Sequence, residues 1–132
     1  MEFQRVFSEA PWEAKVGYCR ALRAGDHIYV TGTVAVAPGG DVHAPGDGEA
    51  QAARCLEIID ETLRALGADR RAIVRTRMFV TDISRWEEFG RAHKAFFGDH
   101  VPATSMLEVS RLIGPQFLIE IEADAVAPPK PR

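Results

Sequence analysis

The chain has 132 residues, 46% of them hydrophobic, and a formal net charge of -3, which fits one globular domain and excludes a disordered or fibrous chain. Its 16 Lys and Arg residues against 19 Asp and Glu residues leave no basic excess for general nucleic-acid binding. The two cysteines have no disulfide or zinc spacing, and neither a signal peptide nor an apolar run of ~18–20 residues is visible, so we expect a cytoplasmic protein outside the membrane.

The predicted elements begin with a β-hairpin over residues 16–31. Its two strand-like runs flank Ala24-Gly25-Asp26, where Gly25 can take the positive φ that a tight turn needs. In the second run, Ile28 and Val30 face one way and their neighbours face the other. Those neighbours are His27, Tyr29 and Thr31. A loop rich in Gly and Pro follows the hairpin.

A helix is predicted over residues 47–66 and a strand over residues 72–82. Asp47 is the expected N-cap, apolar residues recur at spacings of three and four, and Gly67 is placed to end the helix in a left-handed conformation. The strand alternates between two faces. One face carries Val74, Thr76, Met78 and Val80, and the other carries Ile73, Arg75, Arg77, Phe79 and Thr81.

The last predicted elements are a second helix and two strands. Ser84-Arg85-Trp86-Glu87 matches a capping box at the start of a helix that Gly98 ends. The apolar stripe of this helix is Trp86, Phe89, His93 and Phe96. Strands are predicted over residues 103–109 and 117–126. We therefore predict one domain over residues 1–126, followed by a proline-rich tail at 127–132 that continues no strand or helix.

This order of elements predicts a two-layer α/β sandwich, because two helices can cover only one face of the sheet. The opposite face mixes charged, polar and aromatic side chains, which is too polar for the core of a monomer. It carries His27, Tyr29, Thr31, Arg75, Arg77, Phe79, Glu120 and Glu122. We therefore expect this face to pack against other copies of the chain.

Two carboxylates on the last strand are the first candidates for chemistry. Glu120 and Glu122 are two residues apart, so both side chains leave the same face. Such a pair can act as acid and base. The alternative is that they form ion pairs with Arg75 and Arg77 on a neighbouring strand.

A histidine and a glycine-containing strand end are weaker candidates. His93 lies in the apolar stripe of the second helix, where it is either a buried histidine of the core or interface, or a base. Thr31-Gly32-Thr33 is either a backbone site for a carboxylate or a plain strand terminus. No spacing of metal ligands and no nucleotide-binding fingerprint is present in the sequence.

Several segments also match a known pattern in order and spacing. Val16-Gly17-Tyr18-Cys19-Arg20-Ala21 is followed by a Gly-Asp turn and a strand that ends in Thr31-Gly32. Further segments are residues 51–66, 75–82 and 96–98, Pro102-Ala103, and Ile119-Glu120-Ile121-Glu122-Ala123. Together they resemble the Rid family, also called YjgF, which includes reactive intermediate/imine deaminases and proteins labelled L-PSP endoribonucleases. The resemblance covers most of residues 16–126.

The resemblance implies a mixed six-stranded sheet with two helices on one face, the chorismate-mutase-like fold, assembled as a homotrimer with ligand clefts between subunits. It implies a small-molecule ligand, no cofactor and no metal, and neither nucleic acid nor membrane as a partner. RidA-type members hydrolyse enamines and imines to 2-oxo acids and ammonia. At the matching positions it implies that Glu120 positions the attacking water. The predicted substrate-binding residues are Tyr18, Thr31, Gly32, Arg77, Thr104 and Met106.

The sequence departs from the RidA-type pattern at the substrate-binding arginine. Thr104 occupies that position, and a threonine hydroxyl cannot replace a bidentate guanidinium. Met106 replaces a common cysteine, Gly90 an asparagine and His93 a tyrosine. Three hypotheses remain: a cofactor-independent hydrolase of a C–N bond in a small enamine or imine, a non-catalytic trimer that binds or senses a small ligand, and, ranked last, an endoribonuclease.

Overall fold

Six strands and three helices make up residues 2–128, the part of the chain that the computed structural model describes. In chain order they are β1 (Phe3–Val6), α1 (Pro11–Val16), β2 (Ala21–Ala24), β3 (His27–Val34), α2 (Gly48–Ala65), β4 (Ile73–Val80), α3 (Trp86–Phe97), β5 (Ala103–Glu108) and β6 (Ile119–Val126). The predicted tail lies outside the described residues from position 129 onward. Ala127 is still buried, and its N–H donates to the Asp26 carbonyl at 2.7 Å.

The strands form one mixed sheet in the order β1-β2-β3-β6-β4-β5. Neighbouring strands are antiparallel except β4 and β5, which are parallel. The mixed six-stranded sheet is confirmed. The prediction for the N-terminal region is incomplete, because β1 and α1 were not foreseen and residue 16 ends a helix rather than starting a strand.

The core lies between the sheet and the pair α2 and α3. The Asp47 carboxylate caps α2 by accepting from the Ala50 N–H at 3.0 Å, and Gly67 takes a φ of 80°, as predicted. The buried face of the sheet alternates as expected along β6 and along β3 as far as Val30. The fully buried apolar side chains include Ile28, Leu56, Ile59, Leu63, Val80, Phe89, Ile119 and Ile121.

Two local predictions are wrong for identifiable reasons. The register of β4 on β6 shifts between Ile73 and Arg75, so a β-bulge leaves Val74 48% exposed and buries Ile73. The predicted capping box is absent: a 3₁₀ turn precedes α3, and the Asp82 carboxylate accepts from the Ser84 N–H at 3.0 Å. Trp86 is consequently 56% exposed instead of contributing to the apolar stripe.

Candidate functional site

A β-bulge in β3 shapes the polar face of the sheet. Val30 pairs with Ala123 and Thr33 with Ile121, so Thr31 and Gly32 together stand opposite a single residue of β6. Strict alternation would turn Gly32 toward the helices and Thr33 away from them. The bulge reverses this, since Thr33 is buried and Gly32 lies on the polar face. Bulges commonly redirect side chains beside functional sites.

The carboxylate of Glu120 lies directly over Gly32. A Cβ added at Gly32 would lie 2.5 Å from Glu120 Oε2 and 2.9 Å from its carboxyl carbon, so glycine is required here for a close approach. Glu120 is half-buried, and this burial raises its pKa, with a contribution from Glu122, while Arg20 opposes the rise. A carboxyl with a raised pKa is suited to exchange protons closer to neutral pH.

Arg20 is a cation beside this carboxylate that the sequence analysis did not identify. Its Nη2 donates to the Gly32 carbonyl at 2.6 Å, its backbone carbonyl accepts from the Thr31 N–H at 3.0 Å, and its buried Nε has no hydrogen-bond partner among the described residues. Burial lowers the pKa of Arg20, while Tyr18, Glu13 and Glu120 act in the opposite direction. Arg20 therefore fixes the bulged strand and places positive charge near Glu120.

An open groove of about 450 Å³ adjoins the bulge. Tyr18 and Thr31 line it together with Arg5, Phe7, Glu13, Ala14, Gly17 and Cys19. The Thr31 hydroxyl donates to the Cys19 carbonyl at 2.8 Å, which leaves its oxygen able to accept a further bond. Glu120 is not among the lining residues, and Thr31 and Gly32 connect the groove to the strand position under the carboxylate.

Arg77 lies on the same face but is engaged elsewhere. Its Nη1 is 3.3 Å from Glu122 Oε1 and 3.2 Å from Asp124 Oδ2. The ion-pair alternative is therefore correct for Glu122. Glu120 takes part in no such pair within the described part of the chain, so the two carboxylates of the strand have different surroundings.

Thr104 and Met106 lie on the opposite side of the sheet from Glu120. They pair with Thr76 and Met78 of β4, whose side chains are buried under the helices, and Met106 packs against that core. The Thr76 hydroxyl is 2.7 Å from Thr104 Oγ1 and 2.9 Å from His93 Nε2. His93 is thus hydrogen-bonded on the helix side, and burial lowers its pKa.

The predicted residues therefore form two groups within one copy of the chain. The first set lies around the Glu120 carboxylate and contains Gly32, Thr31 and Tyr18, to which the structure adds Arg20. The second set lies around the Thr104 hydroxyl and contains Thr76 and His93. Across residues 2–128, no cluster of three or more His, Cys, Asp or Glu side chains is arranged to hold a metal ion. None of the helices within that range has the length and apolar character needed to cross a membrane.

Comparison with known proteins identifies relatives over nearly the whole chain. The family model described as endoribonuclease L-PSP matches residues 7–127. The chain is 32% identical to the protein SCO2049 of Streptomyces coelicolor over 122 residues, which are 92% of this chain and 90% of that protein. It is 30% identical to 2-iminobutanoate/2-iminopropanoate deaminase of Rattus norvegicus over 127 residues, 96% of this chain and 92% of that protein.

A solved structure gives the same result for the fold. Rv2704 of Mycobacterium tuberculosis, described as a member of the YjgF/YER057c/UK114 family, superposes with a TM-score of 0.86 at 42% sequence identity. The match covers 96% of this chain and 100% of that chain.

Proposed function

Because the chain belongs to the Rid/YjgF family, whose model is described as endoribonuclease L-PSP, we propose that it is a cofactor-independent hydrolase that releases ammonia from a small enamine or imine. The observation that carries the proposal is the Glu120 carboxylate, held over Gly32 with a raised pKa beside Arg20. The name of the rat relative, a deaminase of two imino acids, supports the same reaction class.

The reaction needs one group that can accept and return a proton. An enamine first takes a proton on its β-carbon and gives up a proton from nitrogen, which makes it the imine. Water then adds to the imine carbon: a C–O bond forms, the C=N electron pair moves to nitrogen, and the proton that the water loses goes to nitrogen. The hydroxyl proton of the carbinolamine then passes to the amino group as the C=O bond forms and the C–N bond breaks, so that a carbonyl compound and ammonia are released. We assign to Glu120 the transfer of the proton from the attacking water to the nitrogen.

The remaining predicted residues have roles in binding within this proposal. The Tyr18 hydroxyl and the Thr31 oxygen hold the substrate at the groove, and Arg20 limits the rise of the Glu120 pKa. Arg77 leaves its ion pairs with Glu122 and Asp124 and binds the ligand when the ligand enters.

We also propose that the site is completed between copies of the chain in a homotrimer with the chorismate-mutase-like fold. Glu120 and Thr104 lie on opposite faces of one sheet, so one copy cannot present both to one ligand. Strand β5 is at the edge of the sheet, and the polar face is half-exposed in a single copy. The proposal includes a single domain over residues 1–126, since the sheet extends from Phe3 to Val126. It also includes a cytoplasmic location.

The test is ammonia release from freshly generated enamines and imines of amino acids and of amino-acid amides, and from aminomuconate-type compounds. Glu120→Gln should abolish the acceleration over buffer, because an amide cannot take up the proton. Glu87→Gln, which changes an exposed glutamate at the start of α3, is the matched control and should retain full turnover. If no compound is hydrolysed faster than in buffer, or if Glu120→Gln keeps the activity, the proposal is wrong.

A non-catalytic ligand-binding role is the second candidate. The observation that favours it is Thr104, which offers a neutral hydroxyl where RidA-type relatives hold the substrate with an arginine. Ligands that raise the melting temperature and are recovered chemically unchanged would support this role. The endoribonuclease hypothesis ranks last, because a net charge of -3 opposes binding to a polyanion.

A further inference from the structure

The hydrogen-bonded chain His93–Thr76–Thr104 joins three elements and ends at the sheet edge. His93 lies on α3, Thr76 on β4 and Thr104 on β5. Thr76 is fully buried, whereas Thr104 is exposed. The outer end of this hydrogen-bonded chain, Thr104, is therefore open to a ligand, and its middle residue, Thr76, is shielded from water.

The single proton of the Thr76 hydroxyl couples the two ends of this chain. Among the described residues, its Oγ1 has hydrogen-bond contacts only with His93 Nε2 at 2.9 Å and Thr104 Oγ1 at 2.7 Å. If His93 Nε2 carries a hydrogen, Thr76 accepts from it and donates to Thr104, so the Thr104 hydroxyl is left to donate outward. If Nε2 carries a lone pair, Thr76 donates to it and accepts from Thr104, and the Thr104 oxygen is left to accept.

The three hydrogen-bonded side chains, His93, Thr76 and Thr104, carry no charge near neutral pH. Burial lowers the pKa of His93 below its ordinary value of 6.5. Among the described residues, the polar group that contacts the imidazole from another element is the Thr76 hydroxyl, which in turn contacts Thr104, and on its own helix His93 contacts the Phe97 ring at 4.5 Å between centroids. No charged side chain of the described residues contributes to this shift. A carboxylate placed against Thr104 would lose hydration without gaining an opposite charge.

We propose that Thr104, oriented through Thr76 by His93, binds an uncharged carbonyl or amide group of the ligand and discriminates against a carboxylate at that position. This inference rests on the proposed function for the identity of the cleft and names the substrate class that the cleft takes. Thr104 contacts the ligand, whereas Thr76 and His93 are positioning residues. The ligand class is thus an amide or another neutral derivative of a small oxo or imino compound.

The test uses pyruvamide and pyruvate, which differ only in the terminal group: a neutral amide in the first and a carboxylate in the second. Calorimetric titration at pH 7.5 should give a dissociation constant for pyruvamide about tenfold lower than for pyruvate. Thr104→Val should weaken the binding of pyruvamide about tenfold, because it removes the hydroxyl that bonds the amide, and Thr104→Ser should keep the wild-type affinity because the hydroxyl remains. Equal or tighter binding of pyruvate by the wild-type protein, no measurable binding of pyruvamide, or an affinity for pyruvamide that is unchanged in Thr104→Val would each overturn the proposal.

A pH series separates orientation by His93 from a merely structural role. A protonated His93 donates from Nε2, fixes Thr104 as an outward donor and adds positive charge. The preference for pyruvamide should therefore shrink as the pH falls from 7.5 through the lowered pKa of His93. In His93→Gln, which is always neutral, the preference should not vary with pH, and an unchanged slope in this variant would contradict the role of His93.

The same titrations distinguish this inference from the proposed reaction. If wild-type protein shows the ratio but hydrolyses no enamine or imine, only the proposed reaction fails. If it hydrolyses them but binds pyruvate at least as well as pyruvamide, only the present inference fails.

Discussion

Replacing Gly32 by alanine tests whether the position of the Glu120 carboxylate, and not just its presence, produces activity. The added Cβ would lie 2.5 Å from Glu120 Oε2, whereas ordinary contacts begin at 3.4 Å, so the oxygen must move by about 1 Å. A misplacement of ~1 Å in a reacting group can cost about 10²-fold in rate. We therefore expect Gly32→Ala to lower kcat about 100-fold in the ammonia-release assay.

The fold should tolerate this substitution. The atoms facing the new methyl group belong to the end of one flexible side chain, and Gly32 does not have a positive φ. Gly90→Ala is the matched control: its Cβ would meet nothing within 4 Å, and alanine in a helix interior gains up to about 1 kcal/mol over glycine. That variant should keep its turnover and melt at a higher temperature.

A double-mutant comparison makes the refutation sharp. In the Glu120→Gln background, Gly32→Ala should cause no further loss of turnover, because the two changes remove the same contribution. The reasoning fails if Gly32→Ala retains wild-type turnover while Glu120→Gln is inactive. It also fails if Gly32→Ala unfolds the protein, since the displaced atoms would then be holding the fold and not only the site.

Three further outcomes are expected. Glu120→Gln should raise the free energy of unfolding at neutral pH but not below pH 4.5, and urea unfolding at both pH values checks this. The reason is that folding raises the pKa of the Glu120 carboxyl, so its ionisation destabilises the folded state progressively as the pH rises from the unfolded pKa through the folded pKa. Gln51→Leu should lower the free energy of unfolding by about 1–3 kcal/mol, since it leaves the Leu118 N–H without its 2.8 Å acceptor, and an unchanged urea midpoint would contradict this. Iodoacetamide at pH 8 should label the half-buried Cys19 before Cys55, whose pKa is raised by burial, and mass spectrometry of native protein that found Cys55 labelled first would count against that order.

Hydrophobic periodicity predicted the layers of this fold because most of the sheet follows strict alternation. It failed where the backbone departs from alternation. The bulge at Val74 adds one residue to β4 and reverses the facing of Ile73, and no residue type there signals it. In β3 the glycine itself was a usable signal, because an isolated glycine within a strand commonly marks a bulge or a close backbone approach.

The short N-terminal elements were missed for a different reason. Strand β1 has four residues and helix α1 has six, so neither is long enough to show a period. The start of α1 has no side-chain cap, and Pro11 at the first turn is its main local signal. The position of β1 is fixed by its pairing with β2, which lies about 18 residues along the chain, and the start of α1 is held by the Ser8 N–H bond to Glu13 at 2.9 Å.

The sequence predicted the candidate site only where the residues lie on one strand, because alternation shows which side chains of a strand share a face. Glu120 and Glu122 were correctly placed on one face, but their different partners depend on the order of the strands. Arg20 acts through a bond to Gly32 across the β2–β3 region, and Thr104 is linked to His93 through Thr76, its neighbour in the parallel pairing of β5 with β4. Neither contact has a signature in local spacing, because strand order and register arise from the packing of the whole sheet.

The separation of Glu120 and Thr104 onto opposite faces makes the proposed assembly testable without a structure of the oligomer. Copies carrying Glu120→Gln and copies carrying Thr104→Trp, in which a bulky ring at the exposed position 104 occupies the place of the ligand, should each be inactive if both residues serve one cleft. If each cleft takes Glu120 from one copy and Thr104 from the next, mixing and reassembling the two variants in equal amounts leaves about a quarter of the clefts intact. Turnover should then return to about that fraction of the wild-type value, whereas a cleft built within one copy would gain none, because every copy in the mixture carries one defect.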